Sequence, residues 1–210
     1  MGYQKLEGIP LSRIFTTLEE EVLKQLSVEI SAFLSQLHTP ELITLFPNQN
    51  FSPYEYKQEW DTFYQDTQGK IFPLLTSSQK RWVERLFTIF LDEKENFNFE
   101  PKLIHGDFDI TNILVDPKTK HVSGIVDFEK ARIYDPAADL LFFDEGDSFL
   151  NGIIKNYKYE INTSFINRMK FLYGRAGLAY MAFGSENDRL GMIKTGMEML
   201  KKRMKRFPLY

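Results

Sequence analysis

From Lys102 onward the hydrophobic pattern of the chain changes from a helical to a strand period, and this change restricts the folds open to it. The runs KLI, NILVD and VSGIVDF are rich in aliphatic and β-branched residues and are short enough to be strands. Between the last two runs, DPKTK supplies a turn in which Pro117 follows Asp116. The segment therefore predicts a small β-hairpin.

Helical patterns lie on both sides of this hairpin. The segment TTLEEEVLKQLSVEISAFLSQLH has apolar residues at helical spacing, and Thr17 three residues before Glu20 predicts a capping box at its start. Thr76 and Gln79 predict a second box, ahead of the apolar stripe in SSQKRWVERLFTIFLDEKENF. The fold class is therefore mainly α with a small β-hairpin (α+β).

Three other segments complete the helical pattern. FINRMKFLYGRAGLAYMAF and ENDRLGMIKTGMEMLKKRM predict two long amphipathic helices after Pro136, with methionine and aromatic stripes that indicate core packing. The aromatic stretch that ends at Pro73 is broken by Pro47 and Pro53, which predicts loops and a short helix.

The composition argues against several classes of function. A net charge of −3 lacks the excess of lysine and arginine that nucleic-acid binders show, and the basic run KKRMKRF is typical of a solvated last helical turn. No apolar segment approaches the ~18 residues of a membrane span, and the N-terminal residues lack the apolar core of a signal peptide. We therefore expect a cytoplasmic protein with no nucleic-acid or membrane partner.

Polar residues cluster just before the hairpin and within it. His105, Asp107 and Asn112 read H-G-D-x-x-x-x-N, and Asp127 ends the second hairpin strand. Short Asp/Asn clusters often only cap turns. Here the strand ends can meet, and phosphoryl transfer needs a carboxylate that takes the proton of the attacking hydroxyl, together with oxygen ligands for Mg²⁺. We expect the side-chain oxygens of Asp107, Asn112 and Asp127 to face one cleft.

The sequence resembles the aminoglycoside phosphotransferases and the wider group of kinase-like small-molecule phosphotransferases, and is most similar to the aminoglycoside 2″-phosphotransferases. The resemblance runs through LIHGDFDITNILVD and VSGIVDFEKARIYDPAADL, and more loosely through ISAFLSQLH and the C-terminal helices. It implies the C-terminal lobe of a protein-kinase-like fold. It also implies transfer of the γ-phosphoryl group of ATP or GTP, with Mg²⁺, to a hydroxyl of an aminoglycoside antibiotic, which is a resistance function.

The resemblance also implies roles for single residues. Asp107 matches the catalytic aspartate, which also holds the substrate hydroxyl, and His105 matches the residue that steadies the catalytic loop. Asn112 and Asp127 match the two magnesium ligands. Asp135 and Asp139 match structural positions that brace the catalytic loop. Leu114 and Val126 match nucleotide-binding positions, together with backbone groups near Gln4, Lys5 and Leu6. The substrate-binding positions are matched by Asp144, Glu145 and Asp147.

Plainer interpretations of some of these residues stay open. Leu114 and Val126 fit the hydrophobic core as well as a nucleobase pocket. The acidic run FFDEGD fits a solvated loop or helix cap as well as a site for the ammonium groups of an aminoglycoside.

The sequence departs from the family pattern at three places. Residues 1–10 resemble the hinge that follows the nucleotide-covering lobe, yet no glycine-rich phosphate loop or strand lysine precedes them. We therefore expect residues 11–210 to form a C-lobe alone, with the catalytic loop and metal hairpin at 102–129, and to transfer little phosphate by themselves. Glu129 stands where many kinases have glycine, and Lys130 stands where the most similar relatives often carry a substrate-binding acid.

A lysine at position 130 repels a polycation, which keeps two alternatives open. The first is a kinase for another small alcohol, such as a macrolide, an amino alcohol or a sugar. The second is a truncated, non-catalytic remnant that still binds a small molecule or magnesium.

Overall fold

The structure is a computed structural model that describes residues 6–49 and 51–208, and this part of the chain is mostly helical. Its α-helices are α1 (Glu20–Leu37), α2 (Pro40–Ile43), α3 (Pro53–Asp66), α4 (Ser77–Asp92), α5 (Asp147–Asn156), α6 (Thr163–Glu186) and α7 (Leu190–Arg206). Its strands are β1 (Ile9–Pro10), β2 (Lys102–Ile104), β3 (Ile113–Val115), β4 (Val122–Ile125) and β5 (Arg132–Tyr134). No helix in these described ranges is both long and apolar enough to cross a membrane.

The chain divides into two compact units. One comprises Met1–Asn50 and Glu100–Asn162, and the other comprises Phe51–Phe99 and Thr163–Tyr210. All of the strands and the H-G-D-x-x-x-x-N segment belong to the first unit.

Two small antiparallel sheets lie in the first unit. Strands β3 and β4 form the predicted hairpin, with Ile113 opposite Ile125, and β1 adds to the other edge of β3. Strands β2 and β5 form a separate pair. The hairpin and the strand over 102–104 are confirmed, whereas β1 and β5 are additions: IP and RIY lack the run of aliphatic residues that marks KLI and ILV as strands.

The turn of the hairpin is held by its first residue, as the DPKTK pattern predicts. Asp116 Oδ1 accepts hydrogen bonds from the backbone N–H groups of Thr119 and Lys118, at 2.8 and 2.7 Å. These two bonds stabilise the ionised carboxylate and lower the pKa of Asp116.

Helix α1 buries one face in the first unit, since Leu26, Ile30 and Leu34 are fully buried. Its start differs from the prediction. Thr17 closes a short 3₁₀ helix, Phe15–Thr17, and its hydroxyl donates to the carbonyl of Ile14, so α1 begins at Glu20 without a side-chain cap. The capping box predicted at Thr17 is therefore wrong, because the hydroxyl is used by the preceding turn.

The capping box predicted at Thr76 is confirmed at the start of α4. Gln79 N donates to Thr76 Oγ1 at 3.4 Å, and Thr76 N donates to Gln79 Oε1 at 2.8 Å. The stretch before it is more helical than predicted, because Ser52 caps α3 and Pro53 occupies the first helical position, where proline is tolerated.

Aromatic side chains build the core of the second unit. Phe90 and Phe171 are stacked with ring centroids 3.6 Å apart, and the rings of Trp60 and Phe87 meet Phe171 edge-on at 5.2 Å. These side chains are almost fully buried, as is Met181 of α6. The predicted aromatic and methionine stripes therefore pack the core.

Glu29 of α1 ties the hairpin to the helix. Its Oε2 accepts the backbone N–H of Val122 at 2.8 Å, and its Oε1 lies 2.5 Å from His121 Nδ1 and 3.1 Å from Gln25 Nε2. Partial burial acts to raise the pKa of Glu29, but the hydrogen bonds from Val122, His121 and Gln25 outweigh it, so the pKa lies below its ordinary value of 4.5.

We expect Glu29→Gln to lower the free energy of unfolding at neutral pH by about 1 kcal/mol. Because the folded-state pKa of Glu29 lies below 4.5, this contribution is present above pH 4.5 and is lost as the pH falls through the folded-state pKa. Urea unfolding of wild type and variant at neutral and acidic pH should therefore show a difference that shrinks on acidification. Glu160→Gln, an exposed change outside the helices of the same unit, is the matched control, and a difference independent of pH would contradict the assignment.

Candidate active site

The H-G-D loop follows β2 directly, and a buried carboxylate fixes its backbone. Asp139 Oδ2 accepts the N–H of His105 at 2.7 Å, and Asp139 Oδ1 accepts the N–H of Gly106 at 2.9 Å. Gly106 has a φ of 82°, in the left-handed region that favours glycine. The glycine of the motif therefore allows the backbone turn that leads from the buried strand β2 to Asp107.

Two further residues hold Asp139 in place. His38, at the end of α1, lies with Nε2 3.2 Å from Asp139 Oδ2 and Nδ1 2.5 Å from the Tyr157 hydroxyl. Since an ionised carboxylate only accepts, Nε2 carries the proton, and Nδ1 accepts from Tyr157. Burial, reinforced by nearby Tyr159 and Asp139, raises the pKa of Tyr157, which keeps this hydroxyl a donor.

Asp139 contacts the loop that it is expected to brace, but sequence reasoning did not find its other partners. His38, Asp139 and Tyr157 come from three distant segments, and all three are buried. The only signal in the sequence was a histidine at the end of an amphipathic helix, and the separation of 119 residues between His38 and Tyr157 leaves no local pattern.

His105 connects the loop to the end of β4. Its Nε2 donates to the carbonyl of Val126 at 2.8 Å, and its Nδ1 accepts the N–H of Asp107 at 3.3 Å. The side chain is fully buried, and a hydrogen bond at each ring nitrogen holds the imidazole in position. These contacts join the H-G-D loop to the hairpin, and the steadying role of His105 stays a prediction.

Asn112 closes the same arrangement from β3. Its Nδ2 donates to the carbonyl of Asp107 at 2.9 Å, and its own carbonyl accepts the N–H of Val126 at 3.0 Å. Because the amide nitrogen is engaged with the loop, the amide oxygen is the end that is suited to a metal. His105, Asp107 and Asn112 are thus joined into one hydrogen-bonded group at the end of the hairpin.

Asp127 lies where the hairpin ladder ends. The bond between Val126 N and the carbonyl of Asn112 places Asp127 one residue beyond the partner of Asn112. Asp127 has φ 67° and ψ 60°, a left-handed conformation that takes the chain out of the strand, and the residue is exposed. The backbone therefore brings Asn112 and Asp127 to the same end of the hairpin, and the role of Asp127 as a ligand stays a prediction.

The donor chemistry at this end fits magnesium. Mg²⁺ is usually bound through one or two carboxylates together with water and substrate phosphates. Asp127 offers a carboxylate and Asn112 an amide oxygen. Within residues 6–49 and 51–208, no group of three His, Cys, Asp or Glu side chains is arranged to hold a metal. The donors thus suit an ion brought in with nucleotide phosphates.

Lys130 contributes a cation to the site. Its Nζ lies 2.8 Å from Asp107 Oδ2, and the side chains are 65% and 43% exposed. The carboxylate of Asp107 is therefore accessible from solvent, and its accessible side already carries a positive charge.

The residues predicted to bind the nucleobase lie on or beside the three-stranded sheet. Leu114 and Val126 are half-buried, and Leu114 pairs with Gly124. Leu6, which is 49% exposed, lies against the same glycine, because a Cβ built on Gly124 would be 3.0 Å from Leu6 Cδ1. Gln4 and Lys5 lie outside the described residues.

The predicted acidic segment lies at the start of α5. Asp144 and Asp147 are exposed, whereas Glu145 is half-buried. Glu145 lines a cavity of about 180 Å³ between α1 and α5, together with Glu20, Leu23, Lys24, Ser27, Ser148, Phe149 and Gly152. Of the described residues that form this lining, none belongs to the H-G-D loop, and the role of Glu145 in substrate binding stays a prediction.

Comparison with known proteins agrees with this geometry. Residues 2–160 match the model of the phosphotransferase enzyme family, APH. The GDP and kanamycin complex of APH(2″)-IIIa is similar with a TM-score of 0.85 and 20% identity, over 97% of this chain and 70% of that chain. The GDP complex of wild-type aminoglycoside 2′-phosphotransferase-IIIa is similar with a TM-score of 0.87 and 20% identity, over 98% and 70%.

A macrolide 2′-phosphotransferase of type I is similar with a TM-score of 0.69 and 17% identity, over 83% of this chain and 58% of that chain. At these identities the solved structures establish the fold, which is mostly helical with small sheets and kinase-like. The resemblance predicted from the sequence is confirmed by the family model, which covers most of the chain. The chain therefore belongs to the phosphotransferase enzyme family.

Proposed function

We propose that this protein serves the transfer of the γ-phosphoryl group of ATP or GTP to a hydroxyl of a small molecule, with the reacting groups held by residues 102–129. The observation that carries the proposal is the hydrogen-bonded group of His105, Asp107 and Asn112, which presents one solvent-accessible carboxylate at the end of the hairpin. Membership of the phosphotransferase family supports it.

Asp107 is the proposed general base. The acceptor hydroxyl donates to its carboxylate, the hydroxyl oxygen forms a bond to the γ-phosphorus, and the proton passes to Asp107. The bond from the γ-phosphorus to its bridging oxygen breaks, and the nucleoside diphosphate leaves with the electron pair. Because Asp139 and His105 hold the loop rigidly, positioning supplies much of the rate.

Asn112 and Asp127 are the proposed magnesium ligands. When bound, Mg²⁺ neutralises charge on the triphosphate. Leu114 and Val126 are the proposed floor of the nucleobase pocket, beside the segment that contains Leu6.

An aminoglycoside is the first acceptor to test. One solved structure with the same fold is a complex with kanamycin, and Glu145 offers a half-buried carboxylate in the cavity between α1 and α5. An alcohol without ammonium groups is the second candidate, because Lys130 places a positive charge at Asp107. A non-catalytic binding role is the remaining alternative, since the 210 residues contain no glycine-rich phosphate loop.

The proposal can be tested with two proteins. One is the 210-residue chain, and the other is this chain joined to the nucleotide-covering lobe of a related aminoglycoside phosphotransferase. With γ-labelled ATP or GTP, we expect label to reach an acceptor hydroxyl in the joined protein and little transfer by the chain alone. A joined protein that folds and binds nucleotide, yet labels none of a panel of kanamycin, macrolide and neutral sugar acceptors, would favour the binding role.

We expect Glu145→Ala to raise KM for kanamycin about two- to fivefold in the joined protein, without changing kcat. Attraction between Glu145 and an ammonium group is equal in the ground state and the transition state, so it appears in KM. A partly exposed ion pair of this kind is worth at most about 1 kcal/mol. Glu160→Ala, which removes an exposed acid of the same unit, is the control in steady-state kinetics, and equal values of KM in all three proteins would argue against an acceptor site at Glu145.

A further inference from the structure

We infer that Lys130 is a specificity-determining residue, which admits acceptors whose reacting hydroxyl is flanked by neutral or anionic groups and rejects those with an ammonium group beside that hydroxyl. The inference rests on the proposed transfer at Asp107 and narrows its class of acceptor.

The backbone of Lys130 is packed against the H-G-D loop, so its place in the site does not depend on its side chain. A Cβ built on Gly106 would lie 2.5 Å from the carbonyl oxygen of Lys130 and 3.1 Å from its Cβ. The residue ends a 3₁₀ turn closed by a bond from Ala131 N to the carbonyl of Phe128, at 3.0 Å. Position 130 therefore presents whatever side chain it carries to the neighbourhood of Asp107.

The side chain of Lys130 returns to the reacting carboxylate. Its Nζ lies 2.8 Å from Asp107 Oδ2. An acceptor hydroxyl bound to Asp107 lies about 3 Å from the same carboxylate. Substituents on the neighbouring carbon atoms of the acceptor consequently lie within a few ångströms of the Lys130 ammonium group.

The charge of Lys130 determines which of these substituents is tolerated. Because the Lys130 side chain is 65% exposed, solvent screens its repulsion of a like charge about 4 Å away to near the value in water, which weakens binding by about five- to tenfold. Lys130 can avoid the repulsion only by leaving Asp107, which removes the ion pair between them. A neutral or anionic substituent meets no such penalty.

Glu145 can attract an ammonium group in the cavity between α1 and α5. This attraction is the same with and without the charge of Lys130, so it does not affect a comparison of Lys130 variants. We therefore expect a neutral or acidic sugar alcohol to be a better acceptor than kanamycin, whose hydroxyls lie among its ammonium groups.

The inference can be tested on the 210-residue protein by binding alone. ¹⁵N-labelled wild type and Lys130→Met are titrated at low salt with kanamycin and with its fully N-acetylated derivative, which keeps the same hydroxyls without ammonium charge. We expect Lys130→Met to bind kanamycin about five- to tenfold more tightly and to bind the acetylated derivative unchanged. Lys130→Arg, which keeps the charge, and Lys118→Met, which removes an exposed charge at the hairpin turn, should both behave as wild type.

The backbone amide signals of Gly106 and Asp107 locate the binding. If kanamycin shifts these signals but its affinity is the same in wild type and Lys130→Met, the role of Lys130 is wrong while the proposed acceptor site stands. If Lys130→Met bound both ligands more tightly by the same factor, the role of Lys130 would also be wrong, because the effect would not depend on the charge of the ligand. If neither ligand shifts these signals in any of the proteins, the proposed acceptor site is itself wrong, and the inference is overturned with it.

Discussion

Asp107→Asn lowers kcat for phosphoryl transfer by about 10²- to 10⁴-fold in the joined protein, with little change in KM. The loss is expected in kcat because proton transfer to the carboxylate occurs only as the hydroxyl attacks. The loop should stay in place, since Asp107 contacts His105 and Asn112 through its backbone N–H and carbonyl. Steady-state kinetics with γ-labelled nucleotide and the best acceptor of the panel measure the effect.

Asp109→Asn is the matched control for this variant. Asp109 is an exposed aspartate two residues away, and its carboxylate accepts bonds from the backbone N–H and the hydroxyl of Thr111. We expect its kcat to remain close to that of wild type. A kcat in Asp107→Asn above one tenth of the wild-type value, or an equal loss in Asp109→Asn, would show that Asp107 is not the base.

Asp139→Ala lowers the free energy of unfolding by about 3–5 kcal/mol, the loss typical of removing one partner from a buried charged network. Asp139 is fully buried and accepts from His105 N, Gly106 N and His38 Nε2. Removing the carboxylate leaves three buried donors without their acceptor. Urea unfolding measures the loss, and hydrogen exchange at the amides of His105 and Gly106 should accelerate in Asp139→Asn, which keeps the side-chain volume.

Tyr157→Phe provides the graded comparison. It removes only the outer hydroxyl of the same network and leaves both bonds from the loop to Asp139, so we expect a loss of about 1–2 kcal/mol and slow exchange at Gly106. Equal losses in Asp139→Ala and Tyr157→Phe would mean that the carboxylate has no separate part in holding the loop.

Much of the fold was predictable where the signal is local. The turn at Asp116 and the cap at Thr76 each depend on residues three positions apart, and the β3–β4 hairpin pairs residues no more than twelve positions apart; the structure confirms all three. The cap predicted at Thr17 failed for a local reason of another kind, because the hydroxyl had a competing acceptor at Ile14.

For the candidate site, the sequence indicated which residues of the motif lie together, but it did not indicate all of their contacts. The order of His105, Asp107 and Asn112 in the motif indicated phosphoryl transfer, and the structure joins these three residues. The ion pair between Lys130 and Asp107 was not predicted, since it depends on the 3₁₀ turn that places residue 130 against Gly106.

By itself, the amino-acid sequence determined the helical class, the hairpin and the family, because periodicity, turn chemistry and a spaced motif all depend on neighbouring residues. Only the tertiary structure decided which distant groups meet. His38 reaches Asp139 across 101 residues and Tyr157 across 119 residues, and the cavity that Glu145 lines is formed by α1 and α5. A buried polar group forms a hydrogen bond with whichever partner the packing of the chain places next to it. No local sequence pattern predicts which partner that is.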